Sequence, residues 1–202
     1  MDDSTTAVIR LATVADAGEV AGIYGPIVRD TMISFEESVP TEADIVARIE
    51  DTLSFAPWLV CEIDGVVVGY TYADRFKERA AYRWAVELST YLAEGYRGKR
   101  IGRALVASLL AALKVQGFVQ AFGVIALPNP ASVRMFESFG AEYIGTQKKV
   151  GYKSGHWVDV GYWQLELRQP PDEPVTPMPM SEAVDNADFV AAIRSGEGLL
   201  YG

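Results

Sequence analysis

Tyr96-Arg97-Gly98-Lys99-Arg100-Ile101-Gly102-Arg103-Ala104-Leu105 is the stretch on which the reading of this chain turns. It runs into an apolar pattern, Ile101, Leu105, Leu109 and Leu113, spaced four apart on one face of a helix predicted from about Arg100 to Gln116. Arg97, Lys99, Arg100 and Arg103 crowd the start of that helix, where the helix dipole already places partial positive charge. One reading is a solvated basic helix start. The other is a receptor for an anion, with free backbone N–H groups pointing outward and Gly98 and Gly102 letting the backbone approach a ligand closely.

The rest of the chain frames that choice. Its 202 residues suit one domain with an appendage, and a formal net charge of −9 argues against a general nucleic-acid binder while permitting a local cationic pocket. Cys61 is the single cysteine, so no disulfide can form within the chain and a reducing cytoplasm is the expected setting. The start, Met1-Asp2-Asp3-Ser4, is acidic and lacks a hydrophobic signal core, and no apolar run approaches the roughly 20 residues that span a bilayer. No membrane partner is expected.

Residues 7–12 alternate as a first strand. Thr13 or Asp16 caps a helix whose apolar positions are Val20, Ile23, Tyr24 and Ile27. Residues 30–35 break the pattern, and Thr41-Glu42-Ala43-Asp44 resembles a capping box opening a second helix to about Leu53. Residues 58–63 form a strand, Asp64-Gly65 a hairpin turn, and 66–73 the antiparallel partner. A polar loop at 74–80 precedes a long strand, 82–92. After the basic stretch and its helix, Gly117 is a stop, 119–126 a strand, and Asn129-Pro130 a cap with proline at the first helical position. Residues 142–148 and 157–167 are two last strands joined by a loop at 151–156. From Gln169 the prolines 170, 171, 174, 177 and 179 make an extended linker, followed by a short helix within 181–194. We read 1–168 as the domain and 169–202 as a tail, disordered or packed on a partner subunit. The order βα-αβββ-α-β-α-ββ predicts an α/β fold with a mixed sheet covered by helices on both faces.

Four segments in this order resemble the GNAT superfamily of N-acetyltransferases, and within it the phosphinothricin and methionine sulfoximine N-acetyltransferases. They are Arg97-Gly98-Lys99-Arg100-Ile101-Gly102, residues 84–91, residues 125–134 and residues 151–161. The resemblance implies a mostly antiparallel sheet of about seven strands and acetyl-CoA-dependent transfer to a primary amine. It implies the pyrophosphate on the backbone N–H groups of Gly98, Lys99, Arg100, Ile101, Gly102 and Arg103, with Arg97 beside them. It implies the pantetheine arm paired with the backbone of Thr90, Tyr91 and Leu92, and Asn129 reaching the cofactor from the other side. It also implies a homodimer.

Two positions depart from the pattern. The first glycine of the family's loop is Arg100 here; we read it as an added cation for phosphate at a position that does not require positive φ, with Gly98 and Gly102 beside it. Where the family often carries Tyr or His, this chain has Phe136, which cannot donate a proton to a departing thiolate.

Amines of amino acids are mostly protonated at neutral pH, so transfer needs a base. Glu87, alone among Ala85, Val86 and Leu88, is a costly charge unless solvated, paired or functional, and the resemblance places the general base here. A backbone N–H within 88–92 is the candidate donor to the developing oxyanion. Arg83, four residues before Glu87 on the same strand face, is the candidate holder of an acceptor's acid group, with Lys77 and Arg79 as alternatives and Phe35 walling the pocket. Plainer roles are a surface ion pair for Arg83 and ordinary core for Phe35. His156, the only histidine, reads as a surface-loop residue near the site. One histidine and one cysteine do not assemble a metal site. The expected function is N-acetylation of a small amino-acid-like amine. A protein or peptide acceptor is the alternative within the class, and a non-catalytic acyl-CoA-binding regulatory module the alternative outside it.

Overall fold

A computed structural model describes residues 6–200. The acidic start Met1–Ser4 lies outside the described residues. Seven strands form one sheet in the order β1-β2-β3-β4-β5-β7-β6. They are β1 (Ala7–Leu11), β2 (Trp58–Ile63), β3 (Val66–Arg75), β4 (Ala85–Leu92), β5 (Gln120–Leu127), β6 (Glu142–Lys153) and β7 (His156–Glu166). Every neighbouring pair is antiparallel except β4 and β5. That pair is joined by a crossover helix, the connection parallel strands need.

The helices are α1 (Ala17–Asp30), α2 (Glu42–Thr52), α3 (Ile101–Gln116), α4 (Pro130–Glu137), α5 (Met180–Ala183) and α6 (Ala187–Arg194). On one sheet face Val86 and Leu88 of β4 pack with Leu105, Leu109 and Leu113 of α3. On the other, Trp58, Val60 and Tyr70 pack with Val20, Ile23 and Ile27 of α1 and Ile45 and Ile49 of α2. Local chemistry sets the helix ends. Thr41 and Asp44 close a capping box, with Thr41 N donating to Asp44 Oδ2 at 2.8 Å and Asp44 N to Thr41 Oγ1 at 3.2 Å. Asn129 Oδ1 accepts from Ser132 N at 3.2 Å, and Gly117, at φ +95°, ends α3.

Three expectations need correction. The strand predicted over 82–92 begins only at Ala85, because Ala80–Tyr82 form a 3₁₀ turn with Arg83 helical behind it. The loop predicted over 151–156 is a two-residue turn, Ser154-Gly155, both at positive φ, so β6 and β7 form one long hairpin. The tail, read as disordered or packed on a partner, folds onto its own chain. Phe189 of α6 is fully buried and, with Met180, Ala183 and Ile193, joins the α3 side of the core. Gly196 N donates to Ser108 Oγ at 3.0 Å, and Ile9 N to Glu197 Oε1 at 3.0 Å, which fixes the tail to α3 and β1. Among the described residues no helix is long and apolar enough to cross a membrane.

Candidate active site

The basic stretch forms a 3₁₀ turn, Glu94–Tyr96, and then the start of α3. Gly98 stands at φ +76° and Arg100 at φ +63°, ψ −3°. The position occupied by Arg100 therefore does take left-handed backbone, which corrects the expectation that it would not. An arginine here carries the strain that glycine would spare. The first helical bond runs from Ala104 N to Arg100 O at 3.0 Å, so the N–H groups of Ile101, Gly102 and Arg103 precede the helical ladder. The Ile101 side chain is buried in the core, leaving only its backbone to face a ligand. Lys99 lies over the Tyr96 ring at 5.1 Å and Arg103 over Phe139 at 5.5 Å. Arg97, Lys99 and Arg100 are exposed.

The parallel seam lies next to this turn. β4 and β5 pair only over Ala85–Gln120, Val86–Ala121 and Glu87–Phe122. Beyond Glu87 the two strands diverge, while β5 stays paired with β7 as far as Leu127. Residues 88–92 thus keep one backbone edge free of β5. A cleft of about 240 Å³ opens there, lined by Thr90, Tyr91, Leu92, Arg97, Gly98, Gly102, Asn129 and Ser132. Seven of the residues singled out in the sequence meet in this one space. The Asn129 carbonyl is spent on capping α4, which leaves its amide NH₂ for a ligand.

Glu87 is the last β4 residue paired with β5. Across β3 it faces Asp74, directly in register. Burial pushes the Glu87 carboxyl above its ordinary value; the Asp74 charge adds to the rise, and the Lys77 ammonium pulls against it. Phe76 stacks on Phe122 at 4.0 Å, covering the strand beside Glu87.

The remaining candidates are spread more widely. Phe35 lies against Gly151 of β6, in a segment fixed by the buried Lys153, whose Nζ donates to Val28 O at 2.6 Å and Ser34 O at 2.7 Å. Arg83 is not on the strand face of Glu87. It sits on the turn before β4, donates from Nε to Ala80 O at 2.8 Å and covers the Trp84 ring at 5.2 Å. Lys77, Arg79 and Arg83 gather instead around a cavity of about 340 Å³ at the start of β4, walled by Tyr82, Pro177 and Pro179. No residue lines both this cavity and the cleft. His156 lines a third hollow with Trp157 and Met32, its Nδ1 2.8 Å from Ser154 O. The Phe136 ring is buried against Gly123, so α4 presents no proton donor at that position.

Sequence reasoning missed Asp74 as a partner of Glu87 and Tyr72 on its sheet face, and named Tyr91 for its backbone alone. Tyr72 and Tyr91 flank Ser89, and burial pushes both phenols up. Tyr24, held near 12, packs edge-on to Tyr91 at 5.0 Å and donates to Glu36, which the Arg48 guanidinium keeps below the usual carboxylate range. The only available signal was strand alternation, which sets residues 85, 87, 89 and 91 on one face.

Residues 9–161 match the family model described as acetyltransferase (GNAT) domain. The chain is 37% identical to phosphinothricin N-acetyltransferase of Streptomyces viridochromogenes over 84% of its own length and 93% of that protein's. It is 31% identical to L-methionine sulfoximine/L-methionine sulfone acetyltransferase of Salmonella typhimurium over 79% and 94%. Its fold superposes on the crystal structure of a GNAT superfamily phosphinothricin acetyltransferase from Sinorhizobium meliloti in complex with acetyl-CoA, with a TM-score of 0.79, 33% identity and coverage of 87% and 98%. With the family model matching residues 9–161 and relatives alike over most of their length, the chain belongs to the GNAT acetyltransferase family.

Proposed function

We propose that this chain transfers an acetyl group from acetyl-CoA to the primary amine of a small amino-acid-like acceptor of the phosphinothricin or methionine sulfoximine type. The observation that carries this reading is the seam itself. It leaves a free strand edge at 88–92 in the cleft beside the start of α3, and it ends at Glu87, whose carboxyl is raised by burial, one residue before that edge. The residues fit a diphosphate-bearing thioester. The N–H groups from Gly98 to Arg103, with Arg97, Lys99 and Arg100, cradle the diphosphate. The backbone of Thr90, Tyr91 and Leu92 holds the pantetheine amides as a strand would, and Asn129 closes the other side.

When bound, the cofactor supplies an activated acetyl thioester. Glu87, directly or through a water, takes the proton that leaves the acceptor nitrogen. Its raised pKa brings it nearer the operating pH, where a base works best. An N–H from 88–92 holds the oxyanion that develops as the new C–N bond forms. With Phe136 buried at the position where the resemblance puts a Tyr or His, that position would supply no proton to a departing thiolate. Lys77, whose charge reaches Glu87, with Arg79 and Arg83 on the same turn, is the proposed holder of the acceptor's acid group, and Phe35, against Gly151 of β6, is the proposed wall on another side.

Residues 1–168 carry this chemistry and 169–202 are its appendage. The single cysteine, Cys61, which is buried and free, fits the reducing cytoplasm we propose as the setting. The exposed aromatic pair Tyr152–Trp157, rings 5.1 Å apart on the β6–β7 hairpin, supports a homodimer, which light scattering on the purified chain checks.

Thiol release measured with a panel of phosphinothricin, methionine sulfoximine, methionine sulfone, ordinary amino acids and peptides tests the activity. Turnover confined to the amino-acid analogues is expected. Preference for peptides would move the acceptor to proteins, and acetyl-CoA binding with no transfer to any amine would make this an acyl-CoA-binding module. Glu87→Gln should depress turnover by about 10²-fold or more, the lower end of general-base contributions, with acetyl-CoA affinity nearly unchanged. Unchanged turnover would remove Glu87 from the mechanism.

A further inference from the structure

Beyond residue 161, where the family match ends, the chain continues into the proline-rich segment and the tail helices. That segment does not hang free. Val175 O accepts a hydrogen bond from Trp84 Nε1 at 2.8 Å. Met178 and Gln116 are bound twice, Met178 N donating to Gln116 O at 2.7 Å and Gln116 Nε2 to Met178 O at 2.9 Å. Between these anchors the prolines lie on the turn that precedes β4. Pro170, Pro171 and Pro174 line a hollow with Tyr82 and Trp84, and Pro177 and Pro179 wall the cavity around Lys77, Arg79 and Arg83.

The turn itself has little holding it. Residues 77–83 are all exposed, and among the described residues Lys77, Arg79 and Arg83 form no ion pair. Its internal bonds are those of one 3₁₀ turn, Tyr82 N to Arg79 O at 2.9 Å and Arg83 N to Ala80 O at 3.2 Å, with Arg83 Nε also donating to Ala80 O at 2.8 Å. Lys77, Arg79 and Arg83 outnumber the one carboxylate on the turn, Glu78, and the net positive charge favours an open, mobile segment. The proline segment opposes this at low entropic cost, because proline restricts the chain before it docks.

We infer that residues 170–179 are a strap that holds the cationic turn 77–83 in place beside Glu87, and that Trp84, through its bond to Val175, is a positioning residue for acceptor recognition. This assignment rests on the proposed transferase reading for its kinetic consequence, though its mechanical content stands apart. Trp84 lies three residues from Glu87 on the chain. A strap at Trp84 therefore fixes the cations relative to the carboxyl without touching the cofactor cleft, with which its hollow shares no residue.

The test compares the full-length chain with Trp84→Phe, which keeps an aromatic ring and removes the N–H, and with Pro177→Gly/Pro179→Gly, which loosens the strap and leaves the ring. Amide hydrogen exchange is read on peptides covering 76–83 and, as control, 98–105. Faster exchange in 76–83 of both variants, with 98–105 unchanged, is expected. Acceptor KM should rise three- to tenfold, with kcat within twofold and acetyl-CoA Kd unchanged. Unchanged exchange at 76–83 overturns the strap whatever the enzyme's activity. So does a KM rise matched by an equal loss of acetyl-CoA affinity, which would signal general loosening. If the wild-type chain acetylates no amine, the proposed function fails while the exchange result still decides the strap.

Discussion

Arg100 offers a substitution in which two effects of opposite sign separate. At φ +63° its backbone is left-handed, a conformation that costs a residue with a Cβ about 1–2 kcal/mol. Glycine would remove that cost and pay back about 0.4–1 kcal/mol in unfolded-chain entropy. Arg100→Gly should therefore stabilise the ligand-free protein by up to about 1.6 kcal/mol, which for a chain of this length is up to about 3–6 °C in Tm. The same change removes an exposed cation from the turn before α3. Exposed charge pairs are worth about 0.2–1 kcal/mol, so acetyl-CoA affinity should fall by about 1.4- to fivefold, and less at high salt. Arg100→Ala isolates the charge, since it keeps the Cβ and its strain. Differential scanning fluorimetry without ligand and calorimetry with acetyl-CoA read the two quantities. Glycine should raise Tm and alanine leave it near wild type, while both weaken binding equally. A glycine variant melting below wild type would refute the strain argument. Equal affinity in all three would refute the role of the side chain at the diphosphate.

Glu87 links activity to stability through pH. Its carboxyl binds a proton more tightly folded than unfolded, so its favourable contribution is complete below the ordinary value of 4.5 and is lost as pH rises through the raised folded value. Glu87→Gln escapes that loss; it should melt above wild type at pH 7–8 with the gap closing towards pH 4, and a gap that is constant with pH would count against the burial argument. Phe189→Ala empties a fully buried site in α6 and should cost about 3–5 kcal/mol in urea denaturation, whereas a loss under about 1 kcal/mol would mean the tail does not share the core.

The parts of the fold visible in the sequence were those decided locally. Trp58–Ile63 and the Asp64-Gly65 turn are contiguous signals, and the Thr41/Asp44 box and Asn129-Pro130 satisfy helix ends with their own side chains. Glu87 was visible because a lone carboxylate in an apolar strand needs a reason. What escaped depends on distant partners. Asp74 meets Glu87 only through the β3–β4 register, and Arg83 left the strand because Ala80–Tyr82 close a turn that no proline or glycine marks. Phe189 reads as one face of a short helix until α3 covers it. Arg100 was misjudged because the backbone, held by Gly98 before it and the buried Ile101 after it, imposes a conformation its residue type disfavours.

The short parallel seam has a mechanical side. Three rungs join a β1–β4 half to a β5–β7 half, with Glu87 on the last rung, where a hinge would sit. Under the proposed binding mode, an extended molecule bonded along residues 88–92 would act as a wedge and a missing strand at once, bracing the two halves with its reactive end at the vertex. Ligand binding and the rigidity of the reaction centre then become a single mechanical event.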